Sequence, residues 1–267
     1  MKCVTTVEQP AGVGPLLREW RQRRRLSQLD LAQRAGISAR HVSFVETGRA
    51  QPSRRMLLQL ADHLEIPQRN RNTLLVAAGY APVFQESGFD AARMTAVRAM
   101  VDRLFSAHEP FPALALDADE NIVTMNGGAR LLARELPDHL REPPVNLMRL
   151  TLHPEGLSKL MVNSAHFRQH MLGRLHRQVI HSGRPSLRRL YEEVSRYPGM
   201  DAEPELTDEV VTLLQVRALG TELRLFSTVT TFGASTDITV AELSLETFHP
   251  ADEHTADVFR EAARQLA

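Results

Sequence analysis

The sequence predicts an α+β protein in two parts: an all-α N-terminal unit of five short helices, then a five-stranded antiparallel sheet with helices. Three observations predict it. Up to about residue 80 the apolar residues recur at helical spacing in short runs punctuated by Gly and Pro, whereas runs rich in β-branched residues appear only from Phe111 onward. The charge also changes sign: Pro15 to Arg71 holds twelve arginines against five acids, net +7, and residues 72–267 hold 19 bases against 26 acids, net −7. A basic module joined to an acidic one suggests that the first part binds a polyanion and the second does not.

Composition narrows the class. With 267 residues, 43% hydrophobic and 24% charged, the chain can bury the cores of two ordinary domains, so disorder is not expected. The one cysteine, Cys3, allows neither an intrachain disulfide nor a cysteine-based metal site. MKCVTTVEQP lacks an apolar core behind a basic start, and the longest uncharged apolar run, Leu74 to Phe84, is too short to span a bilayer. A cytoplasmic, nucleoid-associated protein without membrane contact is expected.

In the first part, Leu16 to Arg25 reads as an amphipathic helix with Leu16, Leu17 and Trp20 on one face. Ser27 with Asp30 three residues on gives a capping-box start to Gln28–Ala35, which Gly36 ends. Ser38 caps a second short helix carrying Val42 and Val45 inward, closed by Gly48. Pro52-Ser53 opens a fourth helix, Ser53 to Leu64, and a fifth follows Pro67. Two short helices across a tight Gly turn, flanked by an arginine-rich helix, form a unit that can lay one helix in a DNA major groove.

The run SQLDLAQRAGISARHVSFVETGRAQPS resembles the XRE-type helix-turn-helix of phage repressors and their bacterial relatives, over about residues 15–80. Groove chemistry and the resemblance together imply roles. Arg40, on the first exposed turn of the reading helix, can take guanine O6 and N7 together, worth about 1–3 kcal/mol of discrimination. Ala39 and Phe44 fall at the other groove-facing positions, Phe44 with partial burial as its alternative. Gln28, Ser43, Thr47, Arg49, Arg54 and Arg55 are expected on phosphate, where they supply affinity and register. The resemblance implies a structural ion pair for Arg21 with Glu46. It also implies a double-stranded DNA operator as partner and a homodimer on two half-sites.

Beyond Ala81-Pro82, residues 81–109 are expected to connect the units. Ala91 to Ala107 suits a helix with Met94, Val97, Val101 and Leu104 on one face, acting either as a lever or as the first helix of the second domain, 110–267. PALALDADENIVTMN reads as a hairpin, Pro112 to Leu116 and Asn121 to Met125. Helical or loop-rich segments follow: GGARLLAREL, Leu147 to Leu160 and Ala165 to His181, then a helix from Ser186 to Arg196 ending at Pro198-Gly199. VVTLLQVRA, TELRLFSTVTTF and ITVAELSLETF read as three strands, and Asp252 to Leu266 as a closing helix. Two strands, several helices and three strands is the order of a PAS-like sensor.

The runs ALDADENIVTMNGGARLL, NLMRLTLHPEGL and LRLFSTVTTFGASTDITVAELSLETFHPADE resemble the MmyB-like ligand-binding domain of bacterial regulators, over about Phe111 to Ala267. That resemblance implies a small-molecule effector, apolar or fatty-acyl-like, and no resident cofactor. Met125, Leu131, Leu147, Leu150, Phe226, Thr228, Leu243 and Leu245 are the expected pocket wall, with ordinary core as the alternative for each.

Catalysis and metals find little support. His166 and His170 have helical ligand spacing, but Phe167 stands where a zinc protease has its glutamate. His153, His176 and His181 complete no set. Gly127-Gly128 lacks the other residues of a phosphate loop, Asp237, Glu242 and Glu246 suggest no acid/base pair, and no G-x-S-x-G occurs. An enzyme fused to the DNA-binding unit and a protein-docking second domain stay open as alternatives to sensing.

Overall fold

A computed structural model describes residues 12–198 and 211–266. Cys3, Gly199 and Val210, which enter the expectations above, lie outside the described residues. The chain divides into two compact units after Gln85.

The first unit is helical throughout: α1 (Val13–Arg23), α2 (Gln28–Ala35), α3 (Ala39–Glu46), α4 (Arg54–His63) and α5 (Gln68–Ala77). Each boundary has a local cause. Ser27 and Asp30 complete a reciprocal capping box at α2, and Gly36, at φ +64°, ends it in the left-handed conformation that glycine adopts at no steric cost. Ser38 accepts from the His41 amide and Ser53 from the Met56 amide, so the expected first residue of the fourth helix is its N-cap. Helix α1 begins three residues before the expected Leu16, because Pro15 is tolerated in a first turn and Gly14 fits closely against α3. Leu17, Trp20, Leu31, Val42, Val45, Leu57, Leu60 and Leu74 fill one small core.

The second unit opens with a 3-10 turn (Ala92–Met94) and α6 (Thr95–His108). Helix α6 packs Val101 and Phe105 against Ala113 and Ala115 of the sheet, so it belongs to this unit. Its inner face is Val101 and Phe105, with Val97 at the margin, and Met94 of the preceding 3-10 turn is also buried. Leu104, expected inside, is 50% exposed. The hairpin β1 (Ala113–Leu116) and β2 (Ile122–Met125) leads into α7 (Gly127–Ala133), α8 (Asp138–Arg141), α9 (Leu147–Leu152), a 3-10 turn (Leu157–Lys159), α10 (Ser164–Ser182) and α11 (Pro185–Ser195). Then come β3 (Leu214–Ala218), β4 (Thr221–Thr231), α12 (Ile238–Ala241), β5 (Ser244–Pro250) and α13 (Glu253–Leu266). The five strands form one sheet in the order β2-β1-β5-β4-β3, every neighbour antiparallel.

One expected strand is corrected. Ile238–Ala241, β-branched and read as strand, is a short helix. Asp237 accepts from the Thr239 amide at 3.0 Å, and Ser87 Oγ donates to the same carboxylate at 2.8 Å. Thr239 Oγ1 in turn donates to the Ser87 carbonyl at 2.6 Å. A cap fixed by a contact 150 residues away outweighs local β-propensity.

Candidate DNA-reading surface and ligand cavity

In the first unit α1 supplies Arg21 and α3 supplies Glu46, both buried. Arg21 donates from Nε to Glu46 Oε1 at 2.6 Å, from Nη2 to Oε2 at 2.9 Å and from Nη1 to the Leu26 carbonyl at 2.7 Å. Gln28 Nε2 donates to Glu46 Oε2 at 2.8 Å. Burial alone would push the Glu46 carboxyl up, but these donors and the Arg21 charge hold it below its ordinary value. The bonds tie α1, the start of α2 and the end of α3 together, which fixes the angle at which α3 is presented. Gln28, expected on phosphate, thus has one amide donor committed inside the unit.

Arg40 is exposed on the first turn of α3, its guanidinium 5.1 Å from the centroid of the Phe44 ring. The half-buried ring one turn later is a platform that limits where the arginine can swing. Ala39 is half-buried against the core. Ser43 is half-buried, and its carbonyl accepts from Thr47 Oγ1 at 2.8 Å. Arg49, Arg54 and Arg55 are exposed and make no hydrogen bond or ion pair among the described residues, the last two on the first turn of α4. Other arginines are engaged internally. Arg24 donates to the Leu64 and Glu65 carbonyls, and Arg71 donates to the Ile66 carbonyl and pairs with Asp62. Sequence reading missed those two roles, since most of their acceptors are backbone atoms that any residue offers.

In the second unit a cavity of about 60 Å³ lies between the sheet and helices α7, α9 and α10. Two asparagines set its walls. Asn126 Oδ1 caps the Ala129 amide and also accepts from Ala113 N, joining α7 to β1. Asn146 caps α9 and donates to the Asp119 carbonyl. The wall is apolar, with Leu114, Ile122, Leu136, Phe167 and Met171 prominent, while Glu246 is its one ionisable residue.

Of the eight expected wall residues, Met125, Leu147 and Leu150 line this cavity. Leu131 packs instead into the adjoining cluster around Met148 and Met171. Leu243 and Leu245 pack with Val101 and Phe105 of α6; Leu245 adjoins Glu246, and successive strand residues face opposite ways. Phe226 stacks on His249 with ring centroids 5.0 Å apart, and Thr228 is exposed, sharing a hydrogen bond with Thr247. The inward residues of β4 are Leu223 and Leu225, one position out of phase with that expectation.

Beside the cavity is a buried ionic network that sequence reading did not find. Arg174 Nη1 donates to both Glu246 oxygens at 2.9 and 2.8 Å, and Nη2 to Glu120 Oε2 at 3.2 Å. Gln178 Nε2 donates to Glu120 Oε1 at 2.5 Å. Burial pushes the Glu120 carboxyl up in spite of Arg174.

The residues weighed for other chemistry are engaged separately. Asp237 holds Ser87, Glu242 pairs with Arg184, and Glu246 pairs with Arg174. The Gly127 and Gly128 amides donate to the Glu109 carboxylate, which occupies the place a phosphate would need. His166 lies 3.5 Å from Thr212 Oγ1. The structure does bring His139, His153 and Glu155 together, with ligand atoms within 4.8 Å of one another. His153 Nδ1 there accepts from the Glu155 amide at 3.2 Å, which uses a ring lone pair.

Residues 97–262 match the family model described as the MmyB-like transcription regulator ligand binding domain, and residues 13–74 match a helix-turn-helix domain. The chain belongs to the MmyB-like transcription regulators. As an MmyB-like regulator it is a DNA-binding transcriptional regulator with a ligand-binding domain. Among solved structures it is similar to the clp gene regulator ClgR from Corynebacterium glutamicum, at 19% identity over 37% of this chain and 90% of that one, with a TM-score of 0.23. It is also similar to an RNA-binding light-oxygen-voltage receptor, at 14% identity over 95% of this chain and 64% of that one, with a TM-score of 0.29. No curated protein matches it. Among the described residues of this MmyB-like regulator, no helix is long and apolar enough to cross a membrane.

Proposed function

We propose that this MmyB-like regulator reads a specific operator as a homodimer and that a small apolar, fatty-acyl-like ligand in the cavity sets its operator affinity. Arg40, with Ala39 and Phe44, reads bases; Gln28, Ser43, Thr47, Arg49, Arg54 and Arg55 hold phosphates. Such a protein acts in the cytoplasm, on the nucleoid. The observation that carries the ligand reading is the apolar cavity whose one charged wall residue, Glu246, is already matched by Arg174.

This charge balance bears on how a chain would enter. Among the described wall residues there is no cation to receive a carboxylate, so an acyl chain enters tail first and leaves its polar end at the mouth. A volume of about 60 Å³ admits about two methylene-sized groups. A longer chain displaces Met125 and Met171, whose unbranched side chains repack readily. The test is native mass spectrometry of the purified full chain, followed by operator titration with a long-chain fatty acid and with the matching alcohol. Binding of both that changes operator affinity and is lost in Leu147→Trp supports the proposal. Operator affinity that stays constant at saturating ligand refutes it.

A further inference from the structure

A second cleft in the C-terminal unit, separate from the apolar cavity, has the chemistry of an anion site. It is lined by Ser158, Lys159, Ser164 and Arg168, with Leu152, Pro154, Met161 and Pro198 beside them, and encloses about 330 Å³. No acid is among the described residues of this wall. Arg168 is 7% exposed, and its Nη2 donates to the Val194 and Tyr197 carbonyls at 2.9 Å, bonds that secure the end of α11. Its Nε, buried, has no acceptor among the described residues. Burial lowers its pKa, and no carboxylate among the described residues acts against it. Arg21 is buried too and Arg174 is half-buried, but each is matched by glutamate. A buried guanidinium without a counter-charge is costly, and an anion arriving from solution relieves that cost.

The surrounding elements add to the field. Arg168 sits in the second turn of α10, a helix of 19 residues whose first-turn amides carry the positive end of its dipole, and Ser164 of that turn shares the cleft wall with it. Asn163, at the N-cap, makes no capping bond; it donates to the Leu213 carbonyl and accepts from the Gln215 amide. Lys159 is at the rim and makes no hydrogen bond or ion pair among the described residues.

We propose that this cleft binds a small organic phosphate, its phosphoryl oxygens taken by Arg168, Lys159 and the first turn of α10 and its body resting on Leu152, Pro154 and Met161. The volume exceeds what a bare phosphate fills, and the apolar side of the wall accounts for the remainder.

The test titrates the full chain at constant ionic strength with inorganic phosphate and with phenyl phosphate, using chloride as the reference and calorimetry as the readout. Phenyl phosphate should bind more tightly than inorganic phosphate. Lys159→Gln, at a rim residue, should weaken binding by about tenfold, the order of one charge-assisted contact. Arg168→Met is expected to lose binding. Because it also frees the end of α11, Arg168→Lys serves beside it, keeping the charge and weakening binding less than Met does. The double variant Arg54→Ala/Arg55→Ala should leave one phosphate-binding event intact. If neither phosphate exceeds chloride, if Lys159→Gln binds as the parent does, or if all binding disappears with Arg54 and Arg55, the proposal is overturned.

Discussion

Removing Arg21 should unfold the DNA-binding unit before it affects DNA reading. In Arg21→Ala the Glu46 side chain, 1% exposed, is deprived of two of its three side-chain donors and of its counter-charge. Breaking a buried pair from one side costs about 3–5 kcal/mol. For a unit of this size each kcal/mol moves the melting temperature by about 4–8 °C, so a drop of at least about 12 °C is expected. The chain provides its own probe: its one tryptophan, Trp20, is buried in α1 next to Arg21, so its fluorescence follows this unit. pH supplies a second signature. The folded Glu46 carboxyl lies below its unfolded value, so its contribution is complete above the unfolded pKa and is lost as pH falls through the folded one. Glu46→Gln should remove that acid-side dependence. An Arg21→Ala chain whose Trp20 transition stays in place while operator affinity drops would refute the structural role and make Arg21 a DNA contact.

Arg40→Ala should relax base preference at one position per half-site, whereas Arg54→Ala should weaken operator and random DNA alike and reduce the salt slope by about 1 for each phosphate it no longer holds; competition binding across salt concentrations separates them. Gly14→Ala should cost about 1–3 kcal/mol or more, because a Cβ there would lie 2.5 Å from the Glu46 carbonyl oxygen and 2.6 Å from that of Val45; the Trp20 transition reads it. Arg174→Met should leave Glu120 and Glu246 buried without their cation at a cost of about 3–5 kcal/mol, lowering the second unit's circular-dichroism transition while Trp20 stays unchanged.

Local causes made the first unit readable. Ser27, Asp30, Gly36, Ser38 and Ser53 act on backbone atoms within three or four residues of themselves, so their spacing in the sequence is already their geometry. The ion pair of Arg21 and Glu46 spans 25 residues and came from family resemblance, since spacing alone does not select Glu46 among the acids. The cavity was legible only in part for the same reason. Met125, Leu147 and Leu150 adjoin capped turns, Asn126 and Asn146, whose positions fix which way the neighbouring side chains face. Phe226, Thr228, Leu243 and Leu245 depended on strand phase, and phase is set by pairing: Leu225 lies opposite Pro250, and β5 begins only at Ser244 because Asp237 turns the preceding residues into a helix.

The buried network explains how an apolar cavity can keep a defined shape. Contacts among Leu114, Phe167 and Met171 are non-directional, and by themselves they favour whatever collapse removes most surface from water. Hydrogen-bonded charges are directional. Glu120 lies in the turn between β1 and β2, Arg174 and Gln178 are one turn apart on α10, and Glu246 is on β5, so the network joins the hairpin, the long helix and the central strand at defined distances. Arg184 extends the frame by pairing with Asp119 at 3.0 Å and Glu242 at 3.2 Å. Phe167 and Met171 lie on α10, and Arg174 one turn further along is the residue that bonds this helix to Glu120 and Glu246. Arg174→Met, which cuts α10 loose from the β1–β2 turn and β5, should therefore leave the cavity without its directional frame.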